Sequence, residues 1–200
     1  SVDCLMNITK QTYNIVKNVR KQVPVKSWEN TLVPHGINEK VFFPITKEHE
    51  DYKDFLKFKD QNVINKNVEF IVLWNNRNIR RKLPGDVVLS MKRFVSKLPK
   101  EKRENTLLVM KTQPIDDNGT DLIEVVKNCA PELNVLFFAE RNDERHMNFI
   151  YNMADVTINI ASNEGFGLGT AESLMAGTPI VVNVTGGLQD QCGFRKEDGK

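Results

Sequence analysis

The sequence predicts an α/β fold: a Rossmann-like, mostly parallel sheet with helices on both faces. Three observations predict it. From Val68 onward, short apolar runs alternate with amphipathic segments of helical period. The run VEFIVL at Val68–Leu73 is continuous and β-branched, as in strands covered on both faces. Strand and helix segments follow one another as in right-handed βαβ units, and in such sheets ligands bind beyond the carboxyl ends of the strands.

The elements follow in order. Thr9–Val23 places Tyr13, Val16, Val19 and Val23 near helical spacing, and Pro24 should end that helix. Thr31–Val33 reads as a short strand, followed by a turn at Pro34-His35-Gly36. Thr46–Asn67 is highly polar, a loop with a short surface helix around Glu48–Lys59. After VEFIVL, Gly85–Leu98 is an amphipathic helix with Val88, Met91, Val95 and Leu98 inward. Thr106–Met110 is a strand, Asp121–Cys129 a helix closed near Pro131, and Val135–Phe138 a strand. Asp143–Met153 is a helix with Met147, Ile150 and Tyr151 on one side. A strand at Asp155–Ile160, a glycine-rich loop, a helix and a strand at Pro179–Val184 complete the series.

Composition narrows the classes. Two hundred residues with 40% hydrophobic and 27% charged content describe an ordinary globular chain. A net charge of +2 does not argue for bulk nucleic-acid or membrane binding, and no apolar run approaches the length of a spanning helix. The lysines around Lys92–Arg103 lack interleaved stacking aromatics beyond Phe94, which fits a solvated helix face better than nucleic-acid binding. Cys4, Cys129 and Cys192 are odd in number and widely spaced, so neither a disulfide framework nor a zinc site is expected and a reducing cytoplasm is the default. Both ends read as cut, as in a piece of something larger.

The richest stretch is NIASNEGFGLGTAESLMAGTPIVVNVTGG, Asn159–Gly187. Glu164 and Glu172, eight residues apart, bracket a glycine loop that runs into a helix. Such a loop offers backbone N–H groups and a positive dipole end to an anion. Carboxylates repel phosphate, so their fitting partners are hydroxyls on a phosphorylated ligand, and a sugar nucleotide carries both groups. Glu172, in a helix with Ala171, Leu174, Met175 and Ala176, needs a partner if buried. Arg77 and Lys82 follow a strand end within NNRNIRRK and can hold a diphosphate, the one as a fork, the other as a point charge; a solvated basic turn is the plain alternative. Arg80 and Arg81 are expected to point to water. Gly165, Gly167 and Gly169 invite a dinucleotide fingerprint, which fails because Thr170 replaces its third glycine. Asp116-Asp117-Asn118-Gly119 is turn chemistry rather than a metal loop. His35 beside Gly36 is either a cleft or a turn residue.

Taken together, these motifs resemble those of retaining GT-B glycosyltransferases of the E-x7-E type. EGFGLGTAE resembles the signature itself, and SLMAGTPIVVNVTGG its helix, Gly-x-Pro turn, strand and Gly-Gly loop. Arg77 and Lys82 have the offset of the family's phosphate clamp, VPHGIN with Phe43-Pro44 resembles the lead into its second domain, and LMNITK is similar to the last strand of its first. The resemblance implies a remnant of the acceptor-side domain at 1–24 and a nucleotide-sugar domain, incomplete at its end, at 25–200. It implies hexose transfer with retention from a nucleoside diphosphate to an unidentified acceptor, without metal or cofactor. Arg77 and Lys82 would bind and stabilise the diphosphate. Glu164 would contact the sugar, beside Gly165 and Thr170 and aided by the N–H groups of Phe166, Gly167 and Leu168. Glu172 would hold the ribose. Phe138–Asp143, including Glu140 and Asn142, would line the base pocket. The chain departs from the family where Asn76 replaces a glycine and Lys111–Pro114 a glycine-containing turn. A non-catalytic sugar-nucleotide module and a dinucleotide oxidoreductase are the alternatives.

Overall fold

The computed structural model of the chain describes residues 3–22 and 29–193. Its elements are β1 (Cys4–Asn7), α1 (Lys10–Gln22), β2 (Glu29–Leu32), α2 (Tyr52–Asn62), β3 (Phe70–Asn75), α3 (Pro84–Ser96), α4 (Lys100–Glu104), β4 (Thr106–Lys111), α5 (Leu122–Cys129), β5 (Asn134–Phe137), α6 (Glu144–Asn152), β6 (Val156–Asn159), α7 (Leu168–Met175), β7 (Ile180–Val182) and α8 (Leu188–Gln191). β1 and β2 form a small parallel sheet; β3 to β7 form a parallel sheet of order β5-β4-β3-β6-β7. The helix stop expected at Pro24, and with it the boundary between 24 and 25, lies outside the described residues.

Strand alternation divides the core in two. On one face of the large sheet, Ile71, Leu73, Leu107 and Val109 pack with Phe55, Phe149, Ile150 and Tyr151 from α2 and α6. On the other, Val72, Trp74, Leu108 and Met110 pack with Val87, Val88, Met91 and Leu122 from α3 and α5. Successive side chains of one strand thus serve opposite cores, which is why Phe70–Trp74 is apolar throughout, whereas Glu69, just before β3, is exposed. Two aspartates start helices as N-caps: Asp121 accepts from the Glu124 N–H at 3.0 Å and Asp143 from the His146 N–H at 2.8 Å.

Some boundaries move. β3 runs on through Trp74 and Asn75, so the basic loop starts one residue before Arg77. The surface helix starts at Tyr52, not Glu48, because Glu48–Asp51 is taken up in a turn in which His49 Nδ1 accepts from the Asp51 N–H. The turn expected at Pro34–Gly36 lies later. Those residues form no turn, and the chain turns after Asn38, whose carbonyl accepts from the N–H groups of Val41 and Phe42 and whose side-chain oxygen accepts from the Lys40 N–H.

Candidate functional site

β3, β4 and β5 step across the sheet in one direction, and β6 then enters on the far side of β3. The strand order therefore reverses between β3 and β6, and the loops leaving their carboxyl ends flank a natural crevice. Lys82, on a 3-10 turn after β3, and Glu164, in the loop after β6, meet there. The Lys82 ammonium donates to both Glu164 oxygens at 2.5 Å, and both side chains are under a tenth exposed. Burial pushes the Lys82 pKa down and the Glu164 carboxylate works against that shift. Asn159, at the end of β6, donates to Glu164 Oε1 at 3.4 Å. Arg81 departs from expectation. Instead of facing only water, its Nη1 donates to the Asn163 carbonyl at 2.8 Å and to Glu164 Oε2 at 3.2 Å, because the tight 3-10 turn places adjacent side chains around one carboxylate. Arg80 is exposed, as expected.

Arg77 lies two residues beyond β3 and is well exposed, but its guanidinium is held by Asp116 through Nε at 2.9 Å and Nη2 at 3.4 Å. That pairing raises the Arg77 pKa and lowers that of Asp116. Asp116 belongs to the predicted turn, which Asn78 anchors: its buried amide donates to the carbonyls of Gln113, Pro114 and Thr120 and accepts from the Thr120 N–H. Asn76 does not adopt a positive φ, so the glycine usual at that position is not needed for this backbone.

Glu172, one turn into α7, is half-buried, and its Oε2 accepts from the Tyr151 hydroxyl at 2.6 Å. The same hydroxyl accepts from Asn75 Nδ2 at 2.6 Å. Burial raises the Glu172 pKa above 4.5, the Tyr151 bond lowers it, and Glu144 raises it. Burial, then the Glu172 charge, pushes the Tyr151 phenol well up.

The glycine loop is clamped from below. Gly187 N–H reaches the carbonyls of Glu164 and Gly165 at 3.1 Å, and Gln191 Nε2 donates to those of Phe166 and Gly167. Gly167 takes a left-handed conformation, φ 89°, and starts α7, where the buried Thr170 donates to its carbonyl and to Gln191 Oε1. The N–H groups of Phe166, Gly167 and Leu168 have no hydrogen-bond partner among the described residues. His35 packs edge-on against Phe166 at 5.1 Å, and α1 abuts the same region through a Lys10 N–H to Asp190 bond at 2.8 Å.

Beyond β5, Phe138, Glu140 and Asn142 line a cavity of about 700 Å³ together with Phe58, Asp143 and His146. The end of β4 and the residues after it hold this loop: Lys111 donates to the Glu140 carbonyl, Gln113 to that of Ala139 at 2.6 Å, and the Thr112 N–H to that of Phe138 at 3.2 Å. These are the contacts made by the segment that replaces the glycine-containing turn. The buried Oδ1 of Asn142 has no hydrogen-bond partner among the described residues.

The structure thus joins Lys82 to Glu164 directly, turns Arg77 toward Asp116, and gives Glu172 a separate partner. Sequence assigned no site role to Arg81, expected to face water, to Asp116, read as a turn residue, or to Tyr151, placed only on one side of its helix. A tyrosine on an apolar helix face, whose hydroxyl must find a partner when buried, was the one available signal.

A family model for glycosyl transferases group 1 matches residues 54–196. The chain is 28% identical over 201 residues to the alpha-monoglucosyldiacylglycerol synthase of Acholeplasma laidlawii, across 99% of this chain and 45% of that protein. Among solved structures, sucrose-phosphate synthase from Thermosynechococcus elongatus aligns with TM-score 0.67 and 25% identity over 95% of this chain and 43% of its own. WaaG, a glycosyltransferase involved in lipopolysaccharide biosynthesis, aligns with TM-score 0.71 and 19% identity over 94% of this chain and 46% of its own. Anabaena HepE in complex with UDP and glucose aligns with TM-score 0.69 and 14% identity over 94% and 46%. The structural neighbours are GT-B glycosyltransferases, and the chain spans about half the length of the proteins it matches.

Proposed function

The chain belongs to the glycosyl transferases group 1 family, and from that premise we propose that its crevice binds a nucleoside diphosphate hexose for transfer, with retention, to an acceptor hydroxyl. The observation that carries this reading is the meeting of Lys82 and Glu164 where the strand order reverses. A cation and an acid at one point suit a ligand with phosphate at one end and hydroxyls at the other.

In this proposal Lys82 and Arg77 exchange their carboxylate partners for the diphosphate oxygens and stabilise the charge that grows as the bond to the sugar breaks. Glu164 accepts from sugar hydroxyls, with Phe166, Gly167 and Leu168 donating N–H groups. Glu172 accepts from the ribose diol, and Asn142 Oδ1 is an acceptor for a base N–H. The bond between the sugar carbon and the diphosphate breaks, the acceptor oxygen bonds to that carbon on the same face, and its proton passes to the leaving phosphate. No metal is assigned a role, since two cations and a helix start supply the charge. The names of the relatives make UDP-glucose the first donor to test and a lipid hydroxyl the first acceptor. The dinucleotide alternative is set aside, because it leaves both glutamates without a task.

Calorimetric titration of UDP, GDP and ADP tests the site. Arg77→Ala and Glu172→Gln are each expected to weaken the preferred nucleotide about tenfold, the scale of a lost charge-assisted hydrogen bond. Unchanged binding in both would remove the assignment. Glu172→Gln carries a second expectation. A carboxyl whose pKa is higher folded than unfolded binds its proton more tightly in the fold, so its contribution to stability falls as pH rises above 4.5. The amide variant loses that decline and melts higher than the parent at neutral pH, while binding less nucleotide. Joining the chain to a first domain and assaying donor hydrolysis separates an enzyme from a purely binding module.

A further inference from the structure

We propose that Tyr151 is a positioning residue for donor recognition, fixing one oxygen of Glu172 so that the other alone is presented to the ligand. The proposal rests on the reading of Glu172 as the ribose acceptor. A carboxylate on a flexible side chain pivots between orientations, and a bidentate contact with a diol requires one of them. Here Oε2 is occupied by the Tyr151 hydroxyl, whereas Oε1 has no hydrogen-bond partner among the described residues. Tyr151 is itself held by its surroundings. It is fully buried in α6, its ring packs edge-on against Phe42 at 5.9 Å, and its hydroxyl lone pair is taken by Asn75 at the end of β3. The chain Asn75–Tyr151–Glu172 ties the strand that leads to Arg77 to the helix that carries the acid.

The position has been left room. A Cβ on Gly169 would stand 3.3 Å from the Asn75 carbonyl oxygen and 3.4 Å from the Tyr151 hydroxyl. The absent side chain at 169 therefore lets α7 approach closely enough for the hydroxyl to reach Glu172. The charged group acting on Glu172 from α6 is Glu144, which opposes ionisation, while Asn75 from β3 is neutral. The Tyr151 bond is thus the contact that favours the carboxylate form needed to accept hydroxyls.

The experiment is titration of UDP, with GDP and ADP alongside, and of pyrophosphate into the parent, Tyr151→Phe, Glu172→Gln and the double variant, across pH. Tyr151→Phe is expected to lose about fivefold in nucleotide affinity, the scale of one hydrogen bond to a charged group, while pyrophosphate affinity stays the same. The acid limb of its nucleotide-binding profile moves to higher pH, because the carboxyl loses a bond that lowered its pKa. In the Glu172→Gln background the tyrosine change costs nothing further. Gly169→Ala, which displaces the hydroxyl without deleting it, is expected to shift the same limb in the same direction. Parent-like nucleotide affinity in Tyr151→Phe, or an equal loss with and without Glu172, overturns the proposal and leaves the site reading standing. Parent-like affinity in Glu172→Gln overturns both the proposal and the reading of Glu172 as the ribose acceptor.

Discussion

Glu164→Leu is expected to destabilise the chain by about 3 kcal/mol or more, the range for removing one partner of a buried ion pair. For a chain of this size that corresponds to a fall in melting temperature of about 6–12 °C. The Lys82 ammonium would be left enclosed, with the Arg81 charge opposing it rather than a carboxylate holding it. A lysine whose pKa is lower folded than unfolded binds fewer protons in the fold, so stability rises with pH up to the ordinary value of 10.5. The deficit in Glu164→Leu is therefore largest near neutrality and shrinks toward pH 10.5. Adding Lys82→Met removes the stranded charge, and the double variant recovers most of the lost stability while binding no diphosphate. Urea unfolding at several pH values checks this. A single variant as stable as the parent would mean that the ammonium finds water, and that the pair contributes little.

Gly186→Ala is expected to cost about 3 kcal/mol and to displace Glu164. The added Cβ would stand 1.7 Å from the Glu164 carbonyl oxygen, far inside contact distance, and the residue has φ 52°, a conformation that costs alanine about 1 kcal/mol by itself. The obstacle is backbone, so relief requires the 164–167 loop to move, breaking the bonds from the Gly187 N–H to the carbonyls of Glu164 and Gly165. Thermal unfolding and nucleotide titration should fall together. Gly85→Ala is the control. Its Cβ meets nothing within 4 Å, and inside the first turn of α3 alanine is expected to stabilise by about 0.5–1 kcal/mol. If Gly186→Ala behaves like Gly85→Ala, the loop is not held as described.

The sheet and its helices were legible because their signals are local. A strand buried on both faces must be apolar, as FIVLW at Phe70–Trp74 is, and Asp121 and Asp143 announce helix starts within four residues. Glu164 and Glu172 stood out for the same reason, since acids among glycines and small apolar residues need explaining. What sequence did not reveal depends on distant pairing. Arg81 finds Glu164 across 83 positions, Arg77 finds Asp116 across 39, and Tyr151 finds Glu172 across 21. Nothing in the composition of NNRNIRRK distinguishes the arginine that joins the acid from the one that faces water. The late turn at Asn38 was hidden because proline and glycine at 34 and 36 are stronger local cues than an asparagine side chain bonding to its neighbour.

The strand order also dictates when the crevice can exist during synthesis. β3, β4 and β5 pair with sequence neighbours and can assemble as each emerges, but β6 must return to the opposite flank of β3. Lys82 waits 82 residues for Glu164. Until then its amine has no carboxylate partner, and a half-made chain has a growing sheet but no crevice for the proposed donor. Substrate affinity should therefore arise late and abruptly on the ribosome, as the final long-range closure rather than by gradual accumulation.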